Sequence, residues 1–169
     1  LLSRRDPDIP ERTQLESFTN AGSMPFVPVN GAMCFSQDVS FGIIRSGKLK
    51  ATVLGAFEVS ETGDLANWYL PGKFAGMGGA MDLCNSKMVV VQTTHCAKNG
   101  SPKLIHKCTL PLTCCGRVTH VVTERAVFEF VNKKMILTEI REGYDLDNIR
   151  NNTEADFDIS KDLKTDVIF

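Results

Sequence analysis

The sequence has no apolar run approaching the roughly 18–20 residues that a membrane-spanning helix requires. Its longest apolar stretches, such as Met88-Val89-Val90-Val91, are the size of a strand. Neither sign of charge dominates: 19 basic and 20 acidic side chains give a formal net charge of -1. Such a balance exerts no long-range pull on nucleic acid or on an anionic membrane. There is no C-x-x-C pair, no zinc-finger combination of Cys and His, no G-x-G-x-x-G, no Walker A loop and no G-x-S-x-G elbow. The sequence therefore carries no signature of structural zinc, dinucleotide, nucleoside triphosphate or hydrolase chemistry. Internal repeats and low-complexity tracts are also missing. The first residues, Leu1-Leu2-Ser3-Arg4-Arg5, have no initiator methionine and no basic stretch leading into an apolar core, so they do not read as a secretory signal.

What is present fits one globular domain: 169 residues, 43% apolar and 23% charged. That composition excludes a disordered tail. The six cysteines are Cys34, Cys84, Cys96, Cys108, Cys114 and Cys115. A chain this long and this rich in Val, Ile and Leu needs no covalent staples, so they read as reduced thiols. Cys114-Cys115 reads as two small residues in a loop, with a redox-sensitive vicinal pair as the sharper alternative.

Residues 1–19 read as an irregular polar segment interrupted by Pro7 and Pro10, with the domain following over 20–159 and a loosely held polar tail over 160–169. The long irregular opening suggests a piece of something larger. Pro28 reduces 26–30 to an edge strand at best. Ser36 is placed to cap a short helix that has Asp38 in its first turn, Phe41, Ile44 and Val39 facing inward, and Gly47 at its end. Residues 50–54 read as a buried strand, with Ala51, Val53 and Leu54 inside. Met88 to Val91 suits a central strand covered on both faces, and 118–122 is a second such run. Residues 125–131 and 135–140 flank Asn132-Lys133-Lys134 and read as a hairpin. Asp145 is placed to cap a helix with Leu146 and Ile149 inside, and 156–160 reads as a further strand. Strands of buried type mixed with short helices indicate a layered α/β fold, whose ligands sit in glycine-rich loops.

Six of the 13 glycines fall between Gly55 and Gly79. The densest run is Gly76-Met77-Gly78-Gly79-Ala80-Met81-Asp82. Glycines packed this closely leave backbone N–H groups unobstructed, able to cradle a phosphate or an oxyanion; a bland turn is the competing reading. His95 reads as a satisfied polar residue at a strand end, with a base or a ligand as the sharper alternative. His106 and His120 have no matching carboxylate spacing. Glu58, Glu61 and Asp64 offer carboxylates, but in a stretch that reads as solvated loop. Asn151-Asn152-Thr153 matches the glycosylation sequon, which has no meaning inside a cell.

Four segments, taken in order, are specific. Gly63-Asp64-Leu65-Ala66-Asn67-Trp68 precedes Pro71-Gly72-Lys73, and the run Gly76 to Asp82 continues into Leu83. Cys108-Thr109-Leu110-Pro111-Leu112-Thr113 and Thr123-Glu124-Arg125-Ala126-Val127-Phe128 follow. This series resembles the B-type half of the 3-oxoacid CoA-transferases, equivalent to the carboxyl half of the fused animal enzyme, from about Asn20-Ala21-Gly22 to Phe157. The resemblance implies a layered α/β/α sheet, mostly parallel, with a carboxyl-terminal hairpin. It implies ping-pong transfer of CoA between succinyl-CoA and a 3-oxoacid such as acetoacetate, as in ketone-body metabolism, through a glutamyl-CoA thioester. CoA is then a substrate, with no cofactor and no metal. Gly79 matches an oxyanion-hole N–H; Asn67, Gly78 and Ala80 match the CoA channel. The implied partners are acyl-CoA, carboxylic acids and the A-type half of the enzyme, either a separate polypeptide or the amino-terminal half of a fused one. The complete enzyme would form a homodimer, with no nucleic acid and no membrane. The fused form implies the mitochondrial matrix, the bacterial form the cytoplasm.

The sequence departs from the family pattern in three places. The nucleophilic glutamate of the family lies in Ser-Glu-Asn-Gly, which does not occur here; Glu11 and Glu16 are not followed by Asn-Gly. Ser23 stands where relatives carry a CoA-contacting lysine. Cys114 and Cys115 alter the loop that is Leu-Pro-Leu-Thr-Gly in most relatives. The chain alone is therefore expected to be inactive. The competing readings are a non-catalytic relative with an assembly or regulatory role, and a sugar-phosphate enzyme sharing the architecture.

Overall fold

The computed structural model describes residues 28–73 and 76–168. The expected segment 1–19, Asn20-Ala21-Gly22, Ser23, Glu11 and Glu16 lie outside them. The chain divides into compact units at Gln37/Asp38. In the described part of the first, 28–30 lead into a turn rather than the expected edge strand, with Gly31 at φ +85° and the Ala32 N–H on the Val29 carbonyl at 2.9 Å.

The second unit contains a six-stranded sheet. In chain order its strands are β1 (Ala51–Leu54), β4 (Met88–Gln92), β6 (His120–Val122), β7 (Ala126–Val131), β8 (Lys134–Arg141) and β9 (Asp158–Val167), and they lie side by side in that order. The β1/β4, β4/β6 and β8/β9 pairs are parallel; β6/β7 and β7/β8 are antiparallel. A second sheet has the order β3 (Leu65–Ala66), β2 (Glu58–Ser60), β5 (Leu104–Ile105). The helices are short: α1 (Gln37–Arg45), α2 (Ala80–Leu83) and α3 (Leu146–Asn151). The fold is thus mixed α/β with a predominantly parallel sheet, as expected.

Alternation along the strands decides what is buried. Thr52, Leu54, Val89, Val91, Val121, Phe128, Met135 and Leu137 face the core, where Val59, Leu65 and Leu104 of the second sheet and Ile149 of α3 close over them. Phe128 is fully buried and meets Phe157 edge-on, with ring centroids 5.5 Å apart. Two expectations need correction here. In β1 the buried residues are Thr52 and Leu54, not Ala51 and Val53, and Val53 is 62% exposed. β4 is central in its hydrogen bonding, but Met88 is exposed and Val90 only half-buried, so the strand is covered on one face. A β-branched run favours the strand conformation whichever face is packed, so it does not report how many faces are covered.

The turn of the 126–141 hairpin is Asn132-Lys133, with φ of +52° and +62°. Two successive left-handed residues make the two-residue turn whose twist matches the strands. The Asp145 side chain accepts the Asn148 N–H at 2.7 Å, and Ile149 is fully buried, as expected for α3. In α1, Phe41 and Ile44 are half-buried, Val39 is exposed, and Gly47 at φ +70° ends the helix.

The expected loose tail over 160–169 is instead most of β9. The start of β9 falls within the expected strand over 156–160; the remainder hides from a pattern search because its faces are polar, and Leu163 of it packs on the core. Backbone pairing to β8 holds it, and Lys164 reaches Glu139 at 3.3 Å. Charged side chains on an outer strand also discourage pairing with other chains. Replacing Asp145 with Ala should lower the unfolding free energy by about 1 kcal/mol through loss of the α3 cap. In urea denaturation the midpoint should move at constant slope; an unmoved midpoint would show the cap to be dispensable.

Candidate functional site

The four specific segments do not form one cluster. The first and third are stitched together. Leu65 donates its N–H to the Cys114 carbonyl at 3.0 Å and accepts from the Thr113 N–H at 2.6 Å. Glu58 accepts the Thr109 N–H at 2.7 Å, the Leu110 N–H at 2.9 Å and the Thr109 hydroxyl at 2.6 Å. Asp64 accepts the Gly116 N–H at 2.8 Å. Gly63 makes the turn between β2 and β3 possible: its φ is +85°, and a Cβ there would lie 3.1 Å from the Val118 carbonyl oxygen. Glu58 and Asp64 are therefore committed to backbone amides, a correction to their reading as solvated loop.

Asn67 sits in this first network. Its side-chain oxygen accepts from the Thr113 hydroxyl at 2.6 Å, and its amide nitrogen donates to the Gly55 carbonyl at 3.0 Å. The side chain thus locks the 108–113 segment to the end of β1, with one amide hydrogen to spare. Cys114 is half-buried and Cys115 exposed, consistent with a loop. The Cys114 thiol meets the Cys84 thiol rather than its neighbour. That contact and then burial push the Cys114 pKa up. All six cysteines are free.

The fourth segment builds a polar knot at the carboxyl ends of β4 and β6. Glu124 accepts the His95 N–H at 2.9 Å. Fully buried His95 contacts the Thr123 hydroxyl through Nδ1 at 3.1 Å and the Thr153 hydroxyl through Nε2 at 2.9 Å. Both ring nitrogens are satisfied, as expected, and Thr153 of the sequon is engaged there. Burial, reinforced by the Arg125 charge and opposed by Glu124, lowers the His95 pKa from 6.5 to about 4. Lys103 donates to the hydroxyls of Thr93 and Thr94 at 2.7 and 2.9 Å, and burial lowers its pKa.

The sequence offers His106 no carboxylate, yet the fold does. Its Nδ1 lies 2.7 Å from Glu61, which raises the His106 pKa and lowers that of Glu61. With Asp156 these are the residues able to supply three metal-ligand atoms within 4.8 Å of one another. Sequence could not bring them together, since they come from three distant loops. All three are at least partly solvated, and Glu61 is already occupied by His106 and by the Asp156 N–H at 3.2 Å. His120 likewise faces a carboxylate, Glu129, at 3.5 Å. A cavity of about 410 Å³ is lined by Glu61, Lys133, Lys134, Asp156 and neighbours, and by none of the expected site residues.

The glycine run stands apart from these networks. Gly78 has φ +50°, and Gly79 precedes the first residue of α2. Gly79 is half-buried, and its N–H has no hydrogen-bond partner among the described residues, while its carbonyl accepts the Leu83 N–H at 3.0 Å. Its side-chain direction is filled by the Phe41 ring: a Cβ would sit 2.6 Å from Cε1 and Cζ. Asp82 of α2 holds Arg45 of α1 at 2.7 and 3.0 Å. Asp82 ends the glycine run in the sequence, but nothing in the sequence pattern announces Phe41 or Arg45 as its neighbours. No hydrogen bond joins Asn67 to Gly78, Gly79 or Ala80 among the described residues.

A mixed, mainly parallel sheet bearing these segments in this order defines a class. A model of the coenzyme A transferase family matches residues 7–152, and the chain belongs to that family. It is 47% identical to the beta subunit of acetate CoA-transferase of Escherichia coli (strain K12), over 92% of this chain and 73% of the relative. It is 44% identical to the B subunit of a probable succinyl-CoA:3-ketoacid coenzyme A transferase of Bacillus subtilis (strain 168), over 90% and 72%. It is 48% identical to the mitochondrial succinyl-CoA:3-ketoacid coenzyme A transferase 2B of Mus musculus, over 86% of this chain but 29% of that one. Among solved structures, the acyl-CoA transferase YdiF apoenzyme of Escherichia coli O157:H7 superposes with a TM-score of 0.74 at 23% identity, over 87% of this chain and 33% of that one. At that identity the likeness shows the fold alone.

The His95 geometry sets a pH dependence. The folded protein keeps the ring neutral, whereas the unfolded chain takes up a proton below pH 6.5. Its contribution is therefore complete above pH 6.5 and is lost as pH falls toward 4, a difference of roughly 3 kcal/mol. Chemical denaturation across that window should show stability falling in the parent and falling less in His95→Gln. Parallel profiles would refute the assignment.

Proposed function

We propose that this chain is part of an enzyme that moves CoA between succinyl-CoA and a 3-oxoacid such as acetoacetate, with the nucleophilic glutamate supplied from outside this chain. In the mechanism that the family resemblance implies, a glutamate carboxylate adds to the thioester carbonyl and expels CoA as thiolate, giving an acyl-glutamyl anhydride. The thiolate then attacks the glutamyl carbonyl and releases the first acid as its carboxylate. A second carboxylate reverses these steps and leaves with CoA. One difficult exchange is thereby divided into easier ones.

Each step passes through a tetrahedral oxyanion, which a fixed N–H stabilises without reorganising at the moment of reaction. The observation that carries this reading is the N–H of Gly79, which has no hydrogen-bond partner among the described residues and lies in the family's paired-glycine motif. Gly78 and Ala80 continue the same loop and are proposed to line the CoA channel. Asn67 is proposed to face CoA with its remaining amide hydrogen while it braces the 108–113 segment. Among the described carboxylates, Glu58, Asp64 and Glu124 are committed to backbone amides and Glu61 to His106, which supports a nucleophile located elsewhere.

The proposed partner is the A-type half of such an enzyme, as a separate polypeptide or as the amino-terminal half of a fused one, the whole pairing into a homodimer. CoA serves as substrate, with no further cofactor or metal. The mitochondrial name of the mouse relative supports the matrix, and the bacterial relatives support a cytoplasmic alternative.

Denaturing intact-mass measurement after incubation with succinyl-CoA tests the division of labour. This chain alone should acquire no CoA, whereas the assembly with the preceding segment and the partner half should form a thioester adduct mapping to the supplied glutamate. An adduct on Glu11 or Glu16 of the isolated chain would overturn the proposal. An assembly that binds succinyl-CoA but never forms the adduct would favour the non-catalytic reading.

A further inference from the structure

Two of the residues that hold Gly79 in place, Phe41 and Arg45, come from another element and lie outside the segments that carry the family resemblance; the third, Asp82, closes the glycine segment itself. Phe41 projects from α1, and its ring occupies the space a Gly79 side chain would need, 2.6 Å from the position of a Cβ. One turn later on the same helix, the Arg45 guanidinium lies 5.7 Å from the centre of that ring. The same guanidinium grips Asp82 with both ends of its fork, Nε to Oδ1 at 2.7 Å and Nη2 to Oδ2 at 3.0 Å. Asp82 stands three residues after Gly79 on α2, and Leu83 returns a hydrogen bond to the Gly79 carbonyl at 3.0 Å. The peptide carrying the Gly79 N–H is thus held by a ring at one end of a four-residue helix and by a two-point ion pair at the other.

We infer that Phe41, Arg45 and Asp82 are positioning residues that clamp the glycine run to α1 and fix the direction of the Gly79 N–H. The inference rests on the oxyanion role proposed above for Gly79.

A helix of four residues is too short to hold its own geometry, since a nucleus of helix is costly and α2 spans little more than that nucleus. Gly78 at φ +50° adds a second point of freedom, because glycine alone crosses that region without penalty. Something outside α2 must therefore set its orientation. A forked pair restricts direction as well as distance, and the cation over the ring ties the two contacts into one unit. Solvent-exposed ion pairs of this kind contribute little to global stability. Arg45 has a side chain 58% exposed, so its replacement should leave the fold intact. The effect should appear in the chemical step, where an N–H helps only if it points at the developing charge.

The test uses the complete enzyme, this chain with its preceding segment and partner half, assayed with succinyl-CoA and acetoacetate. Arg45→Met and Asp82→Asn should each lower kcat roughly 10- to 100-fold, with KM for succinyl-CoA and melting temperature essentially unchanged. The exchanged pair Arg45→Asp with Asp82→Arg should recover most of the loss. Arg45→Lys, which keeps the charge without the fork, should recover less. Unchanged kcat in both single variants would overturn the clamp. A raised KM at constant kcat in Arg45→Met would also overturn it and make Arg45 a CoA contact instead. An ester in place of the Gly78–Gly79 amide isolates the underlying reading, because it deletes the N–H and leaves Phe41, Arg45 and Asp82 untouched. If the ester enzyme exchanges CoA as fast as the parent, the oxyanion role of Gly79 fails and the clamp loses its purpose. If it is slower while the Arg45 and Asp82 variants are not, only the clamp fails.

Discussion

Every backbone amide turned away from a ladder still needs an acceptor, and this fold leaves many of them in long connections between two- and three-residue strands. Carboxylates supply the acceptors. Glu58 takes two amides of the 108–113 segment, Asp64 takes Gly116, Glu61 takes Asp156, Glu124 takes His95 and Asp145 takes Asn148. An ionised acceptor makes a shorter and stronger bond than a neutral one, which suits loops with no ladder to align them. The consequence for function is direct. A carboxylate surrounded by N–H donors has its lone pairs occupied and is fixed in place, and is a poor candidate for attacking a carbonyl. The acidic residues that look most chemical in the sequence are the mortar of the loops.

That constraint also explains which parts of the fold could be read from the sequence. The 126–141 hairpin and α3 were legible because each carries a local signal: Asn132-Lys133 between two apolar runs, and Asp145 ahead of Leu146 and Ile149. β4 was legible from its valines, although those valines say nothing of how many faces are covered. β2, β3 and β5 were not, because two or three residues cannot display a period. Their pairing is fixed instead by Glu58 and by the backbone of Leu65, contacts that join segments far apart along the chain, 51 and 52 residues for Glu58. The start of β9 was legible in the expected strand over 156–160, and the rest escaped because an outer strand held by its backbone needs no apolar stripe. The resemblance to the CoA-transferases was visible for a different reason, since it depends on the order of short motifs rather than on any element.

The site was legible to a lesser degree. Gly78, Gly79 and Ala80 stand out because three glycines in four positions are seldom needed for a simple turn. Asn67 comes from the same family pattern, yet its side chain serves first as a brace between Gly55 and Thr113. Asp82 stands in the glycine segment and Phe41 was expected to face inward, but their meeting through Arg45 could not be found from sequence. An aromatic and an arginine one turn apart are ordinary on a helix, and only the fold brings α1 against the glycine run.

The structure divides its polar groups between two tasks. At the carboxyl ends of β4 and β6, His95, Thr123, Glu124 and Lys103 form a knot in which almost every donor has an acceptor, and burial keeps His95 neutral at ordinary pH. A satisfied network of this kind rigidifies its surroundings and has no proton-transfer capacity to spare. The Gly79 N–H has the opposite character: it is unpartnered among the described residues, beside a surface helix, and fixed by neighbours that leave the donor itself open. An open donor costs stability when water is excluded from it, so it persists where something else is gained. In the oxyanion role proposed for Gly79, the gain is a hydrogen bond made to a negative charge that exists only between reactant and product, which is where fixed dipoles lower a barrier most.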